Sequence, residues 1–354
     1  MRTAESRVLA IVATALCLAA MPSLAQQKVA SKPPAGLTTV PVTVQNFTRA
    51  ETDQYFGVAV KRGGLGKFDH NRQPAPIDKQ DVVGMNRDTL YSAAVFDLDA
   101  APVTITLPDA GKRFMSLLIV NEDHYSPAVV YAPGRYTYTK EKLGTRYMMA
   151  VVRTLIDPRD PRDIQAANAV QDAIKVEQAS IGTFEVPNWD PVSQKKIRDA
   201  LIVLSGNLGD NTPPRFGWKG EIDPVMHLIV TAAGWGGNPE EAARYINVYP
   251  KANDGKTVHK LTVKDVPVDG FWSITVYDKD RYIVKNDLDA YSVNNITAKP
   301  NADGSVRVQF GGCQKDTPNC IPTPPEWNYI VREYRPRKEI IDGAWKFPEA
   351  QPAK

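Results

Sequence analysis

The sequence predicts a mainly β protein of the α+β class: two antiparallel β jelly rolls or sandwiches in tandem, with a helical insert between them. Three observations carry this. The first is a phrase used twice, Phe114-Met-Ser-Leu-Leu-Ile-Val-Asn-Glu-Asp-His-Tyr125 and Phe271-Trp-Ser-Ile-Thr-Val-Tyr-Asp-Lys-Asp-Arg-Tyr282. Phe114/Phe271, Ser116/Ser273, Asp123/Asp280 and Tyr125/Tyr282 are identical in register, the mark of a duplicated unit. The second is a text of short alternating or wholly apolar runs, broken by Gly, Asn, Asp and 28 prolines, which favours antiparallel sandwiches over a parallel sheet. The third is a helical middle to the chain, with apolar residues recurring at helical spacing.

Element by element, residues 26–45 read as an extended lead-in, and a helix is expected from about Thr48 to Val60, before Gly63, Gly64 and Gly66. The first β unit spans 46–157. Val103, Ile105 and Leu107 alternate with threonines, Met115 to Val120 is a buried run, and Tyr136 and Tyr138 alternate again. Pro108-Asp-Ala-Gly111 and Ala132-Pro-Gly134 mark turns. The helical insert spans 158–240. Ile164, Ala167, Val170 and Ile174 share one helix face within 160–178. Asp190-Pro191 then caps a helix with the stripe Ile197, Ala200, Leu201, Leu204 and Leu208. Asp223-Pro224 starts a third helix, stopped at Gly234. The second β unit spans 241–354, with Val306, Val308 and Phe310 facing one way and a tail whose Trp345 and Phe347 dock on the body.

The N-terminus has the form of a secretory signal: Arg2 and Arg7, the apolar stretch Val8 to Ala20, and small residues before a cleavage expected after Ala25. That stretch is too short to span a bilayer core of ~30 Å, and no later segment is long and apolar enough to do so. The mature chain is therefore expected in the periplasm or outside the cell. Cys313 and Cys320, in a loop with Gly311, Gly312 and Pro318, are expected to form one disulfide, since no nearby His or CxxC offers a metal or redox alternative. The formal charge of +3 is spread without a basic block, which argues against nucleic acid as a partner.

Longer phrases carry a resemblance. Met85-Asn-Arg-Asp-Thr-Leu-Tyr-Ser92, Asn121-Glu-Asp-His-Tyr125 and Val129-Val-Tyr-Ala-Pro-Gly134 resemble the bacterial domain of unknown function numbered twelve-fifty-four. Val268-Asp-Gly-Phe-Trp-Ser-Ile-Thr-Val-Tyr-Asp278, Tyr291-Ser-Val-Asn-Asn295, Gly304-Ser-Val306 and Tyr334-Arg-Pro-Arg337 resemble its usual companion, number twelve-fourteen. Together they extend over roughly residues 45–348. The resemblance implies tandem jelly rolls, like those of double-jelly-roll capsid subunits and some oligomeric glycoside hydrolases. It implies no settled activity and so assigns no catalytic residue.

The residues themselves offer candidates. At the end of an apolar strand the text breaks into Glu122-Asp-His-Tyr125, where Glu122 and His124, without counterparts in the second copy, can serve general acid/base chemistry. Asp123 and Tyr125 recur as Asp280 and Tyr282 and read as turn residues. Asp88 is a third catalytic candidate and Arg87 a substrate-binding one; the other reading is an ion pair or turn cap at the start of the sheet. Tyr91 and Trp235 join the binding candidates, Trp235 as a stacking platform in a glycine loop or else as a core residue past a helix end. Asn286, Tyr291 and Asn294 suit a hydroxyl-rich ligand, or a long loop satisfying its own backbone. His227 reads as a packed helical histidine. No GxSxG, GxGxxG or GxxxxGK[ST] is present, which excludes a serine elbow and the common nucleotide folds. Four scattered histidines do not supply a cupin metal set, so neither metal nor other cofactor is expected. Two functions stay open: a hydrolase or lyase-like enzyme acting on a carbohydrate or other small polar compound through a carboxylate pair, or a non-catalytic binding or structural protein assembling as a trimer or larger ring.

Overall fold

The structure, a computed structural model, describes residues 38–80, 84–127, 129–208 and 215–353. The expected signal and most of the lead-in lie outside the described residues. Helix α1 (Phe47–Lys61) is followed by β1 (Asp69–His70), β2 (Thr89–Asp97), β3 (Val103–Leu107), β4 (Met115–Asn121), β5 (Val129–Tyr131), β6 (Gly134–Tyr138), the short α2 (Lys140–Leu143) and β7 (Tyr147–Leu155). Then come α3 (Pro161–Asp172), β8 (Lys175–Gln178), α4 (Pro191–Ser205) and α5 (Pro224–Ala233). The second half holds β9 (Ala243–Val248), β10 (His259–Val263), β11 (Trp272–Tyr277), β12 (Ser292–Asn294), β13 (Val306–Phe310), β14 (Cys320–Ile321), β15 (Asn328–Tyr334), α6 (Lys338–Ile341) and β16 (Gln351–Pro352).

These strands form two open antiparallel sandwiches, with β13–β14 the one parallel pairing between named strands among the described residues. In the first, the sheet β1-β2-β7-β4-β5 faces β6-β3-β8; in the second, β12-β11-β15-β9 faces β14-β13-β10-β16. The duplication extends to strand order, with β1 and β14 outside the match. β2-β7-β4-β5 matches β9-β15-β11-β12, and β6-β3-β8 matches β13-β10-β16. Alternation places Phe96, Leu117, Ile119 and Val152 against Val103, Ile105 and Tyr138 in one core; Ile274, Val276 and Val331 meet Leu261, Val308 and Phe310 in the other. The copies touch through equivalent positions: Phe114 and Phe271 pack edge to face at 5.2 Å, with Tyr334 and Leu155 in the same cluster.

The helices follow their sequence signals. Asp160, Asp190 and Asp223 each accept a backbone N–H of the first turn, with proline opening the helix. One face of α1 packs Phe47 and Ala50 on Leu201 of α4 and Ile229 of α5, while Phe56 and Ala59 cover Val95 and Met149 on the outside of the five-stranded sheet. Two expectations change. The α3 helix ends at Asp172, and the following residues form β8, an edge strand on β3 that completes the first sandwich. Leu204 of the α4 stripe is 53% exposed, because α1 and α5 reach only the Leu201 side of that helix. Phe347 is buried against Trp272, and Cys313–Cys320 is a disulfide.

Candidate functional site

The predicted residues fall into two places. The first is the corner after β4. Asn121 Oδ1 accepts from the amides of Asp123 (3.1 Å) and Tyr125 (2.9 Å); Asp278 Oδ1 does the same for Asp280 (3.0 Å) and Tyr282 (2.9 Å). The fourth residue of each turn has positive φ, 61° at His124 and 66° at Arg281. One turn therefore recurs, and Asp123 and Tyr125 build it.

Glu122 and His124 point inward from this turn and are nearly fully buried. Glu122 Oε2 accepts from the Tyr147 amide at 2.9 Å, and Oε1 lies 3.4 Å from Arg49, which also holds Asp123 at 2.6 Å. One helical turn beyond Arg49, Asp53 accepts from Trp189 Nε1 at 2.8 Å through Oδ2, while its buried Oδ1 has no partner. Burial, opposed by the Trp189 bond and reinforced by Glu122, pushes Asp53 up to about 6; burial likewise raises Glu122. His124 Nε2 accepts from the Gly236 amide at 2.9 Å, so Nδ1 carries the proton and donates to Thr231 Oγ1 at 2.9 Å. Burial, with His227 adding to it, pushes His124 down to about 3. Trp235 is half-buried, stacked on Tyr55 at 4.4 Å and on His124 at 5.4 Å, with its Nε1 donating to Thr52 Oγ1 at 3.2 Å. His227 donates to the Asp123 carbonyl and stacks on Tyr125 at 4.2 Å.

The second place is the junction between the sandwiches, and it gathers most of the other candidates. Asp88, fully buried at the start of β2, reaches across to the second copy: Oδ1 accepts from Ser292 Oγ (3.1 Å) and Asn294 Nδ2 (3.2 Å), and Oδ2 has no partner. Arg87 lies over the Tyr291 ring at 5.4 Å. A cleft whose interior, about 10 Å³, takes roughly one water molecule is lined by Arg87, Arg159, Asp289, Tyr291, Ser292 and Thr297. Asn286 stays out of it, its amide spent on the backbone of Leu288 and Ala290. Asn294 Oδ1 accepts from the Ile296 and Thr297 amides, so only its amino end faces Asp88.

Behind the cleft lies a polar layer that sequence reasoning largely missed. Arg153 pairs in register with Ser116 on one side and Tyr91 on the other; Arg332 pairs with Ser273 and Tyr245. Both arginines are nearly fully buried, and among the described residues neither forms an ion pair. Arg153 donates to Asn238 Oδ1 (3.1 Å) and the Gly236 carbonyl (3.3 Å), above the Tyr91 ring. Arg332 donates to Thr275 Oγ1 (3.0 Å), Tyr277 Oη (2.6 Å) and the Gly84 carbonyl (2.8 Å). Burial opposes ionisation of Tyr91, but Arg153 and, more weakly, Thr89 and Arg332 outweigh it and hold the phenol below its usual value. The available signal was the repeat itself: each copy has a Val-Arg pair, Val152-Arg153 and Val331-Arg332, within an apolar strand. Among the described residues no cluster of three His, Cys, Asp or Glu could hold a metal, and no helix is long and apolar enough to cross a membrane.

No curated protein matches the chain. Among solved structures, the VPA0106 protein of Vibrio parahaemolyticus is similar over 88% of this chain and 98% of its own, with a TM-score of 0.67 at 19% identity, a likeness of fold alone. An uncharacterized protein of Burkholderia cenocepacia aligns over 83% of this chain and 84% of its own at 14% identity, with a TM-score of 0.47. Residues 65–142 match the family model described as protein of unknown function (DUF1254), and residues 249–338 the one described as protein of unknown function (DUF1214). Each segment lies within one of the two β units, so the chain matches the DUF1254 and DUF1214 models in that order.

Proposed function

We propose that this is a binding protein for a small hydroxyl-bearing acid, working in the periplasm or outside the cell, with the ligand seated over the mouth of the cleft between the sandwiches. The observation that carries the reading is the convergence there of two guanidiniums, Arg87 and Arg159, with the hydroxyls of Tyr291, Ser292 and Thr297. Guanidiniums recognise carboxylates, hydroxyls recognise the hydroxyls of a sugar, and Asp289 beside Arg87 tempers the positive charge. The disulfide supports the exported location.

The hydrolase reading has less support. Its carboxylates, Asp88 and Glu122, belong to separate buried clusters rather than one cavity. One feature favours it: Asp53 and Glu122 adjoin, and both are pushed toward the protonated form that a general acid requires. Both side chains are buried, however. Assembly as a trimer or larger ring is a separate proposal, decided by the mass from light scattering.

Isothermal titration tests the cleft. D-Glucuronate should bind, D-glucose should bind more weakly, and R87Q should lose the binding of glucuronate. If R87Q titrates with glucuronate as the wild type does, or if the wild type gives no heat, the cleft reading is wrong.

A further inference from the structure

The two sandwiches differ at one end. In the first copy β5 passes into β6 through residues 132–133 alone, and Ala132 packs on the cluster that holds Met115. In the second copy the equivalent connection, from β12 to β13, runs over residues 295–305. It is fixed at its start, where Asn295 Oδ1 accepts from the Trp272 amide at 3.0 Å and the Asn295 amide donates to the Trp272 carbonyl at 3.3 Å. Asn319 holds it further on: Oδ1 accepts from the Lys299 amide and Nδ2 donates to the Lys299 carbonyl, at 2.8 Å each. Between this connection and the one leading from β10 to β11 lies a cavity of about 260 Å³. That is just below the roughly 300–1,000 Å³ of small-molecule sites, so an occupant must be small.

The lining grades from apolar to charged. Trp272 and Val263 are each 4% exposed, Val266 and Val268 are half-buried, and Lys264 and Asp265 stand exposed at the rim. Trp272 takes the place of Met115 in the first copy, and among the described residues no group accepts from its indole N–H. A buried tryptophan ordinarily finds an acceptor. Lys264 and Asp265 are consecutive, yet among the described residues neither forms an ion pair. Asp303, whose carboxylate feels the Lys264 charge, is engaged by the Ser305 amide at 3.0 Å and the Ser305 hydroxyl at 2.7 Å. The cavity thus combines an apolar interior and an unused indole donor with a rim that carries one cation and one anion.

We propose that this cavity binds an apolar α-amino acid as the zwitterion. Its side chain lies among Val263, Val266, Val268 and the Trp272 ring. Its carboxylate accepts from Lys264 and from the Trp272 N–H, and its ammonium donates to Asp265. A simple acid or a simple amine would answer one rim charge and meet the other as a like charge. The cavity shares no lining residue with the Arg87 cleft, and the proposal does not rest on that cleft.

Isothermal titration tests it with L-leucine and L-phenylalanine, each beside its des-amino acid (4-methylpentanoate, 3-phenylpropanoate) and its decarboxylated amine (3-methylbutylamine, 2-phenylethylamine). At least one amino acid should bind, with its acid and its amine each about tenfold or more weaker, the loss expected for one charge-assisted contact. K264M and D265N should each weaken that amino acid by a similar factor without lowering the melting temperature. Both side chains are exposed, and asparagine tolerates the positive φ of 49° at position 265. The proposal is overturned if neither amino acid binds, if the acid or the amine binds as tightly as its parent, or if either variant binds as the wild type does. Should a variant fail to fold, the comparison of the amino acid with its acid and its amine decides alone.

Discussion

Arg153 and Arg332 occupy the same position in two copies of one sheet, each between a serine and a tyrosine, and each buried without an ion pair among the described residues. At the equivalent strand starts the copies carry Asp88 and Ala242, whose carbonyls accept the Ile156 and Arg335 amides at 2.9 Å each.

This asymmetry makes Asp88 a stability residue as well as a neighbour of the cleft. Asp88→Asn keeps an acceptor for Ser292 and Asn294 but removes a charge that adds, after the Tyr277 and Tyr334 phenols, to the stabilisation of Arg332. It should cost on the order of 1–3 kcal/mol in urea unfolding. An unchanged midpoint would mean that Tyr277 and the backbone carbonyls satisfy Arg332 by themselves.

His124 sets an acid limit. Its folded pKa of about 3 lies below the ordinary 6.5, so the unfolded chain takes up the proton first. Its contribution is complete above pH 6.5 and is lost progressively as pH falls toward 3. His124→Asn, which tolerates the positive φ, should flatten the fall in unfolding free energy over that window. A slope equal to the wild type's would assign the acid sensitivity elsewhere.

Asp53 works in the opposite direction. Its folded pKa of about 6 lies above the ordinary 3.8, so the folded state holds the proton more tightly, and stability falls as pH rises from 3.8 to 6. Above pH 6 the penalty is constant. Asp53→Asn keeps an acceptor for Trp189 and should stabilise the protein at pH 7 by on the order of 1–3 kcal/mol, with no gain at pH 3. A uniform gain across pH would point to a packing effect instead.

The Cys313–Cys320 bridge closes a short loop beside the β13–β14 pairing. Cys313→Ser with Cys320→Ser should lower stability by about 2–3 kcal/mol, because the open chain regains loop entropy in the unfolded state. Melting with and without reductant checks this: the wild type should shift on reduction and the double variant should not.

Much was legible in the sequence because it depends on near neighbours. The repeated phrase marked both β units, alternation marked β3 and β13, and Asp-Pro marked the starts of α4 and α5. The disulfide was legible from a short loop with no competing ligands. β8 was not, since Lys175–Gln178 becomes a strand only because the edge of β3 is there to pair with it. Asp53 was hidden for a similar reason: an acidic residue on a helix looks solvated until Trp189 and Glu122 close over it.

By itself, then, the sequence determined the duplicated sandwiches, the helix caps and the crosslink, because these follow from periodicity and from spacing along the chain. Tertiary structure alone decided which polar groups became buried partners. It sealed Glu122 and His124 into a closed corner and brought Asp88 to Ser292 and Asn294, more than 200 residues away. It also buried the arginine of each Val-Arg pair on the sheet face opposite its own sandwich core, where Val152 and Val331 lie. Such partnerships depend on which outer faces of the two sheets meet, and no local pattern in either copy encodes the face of the other.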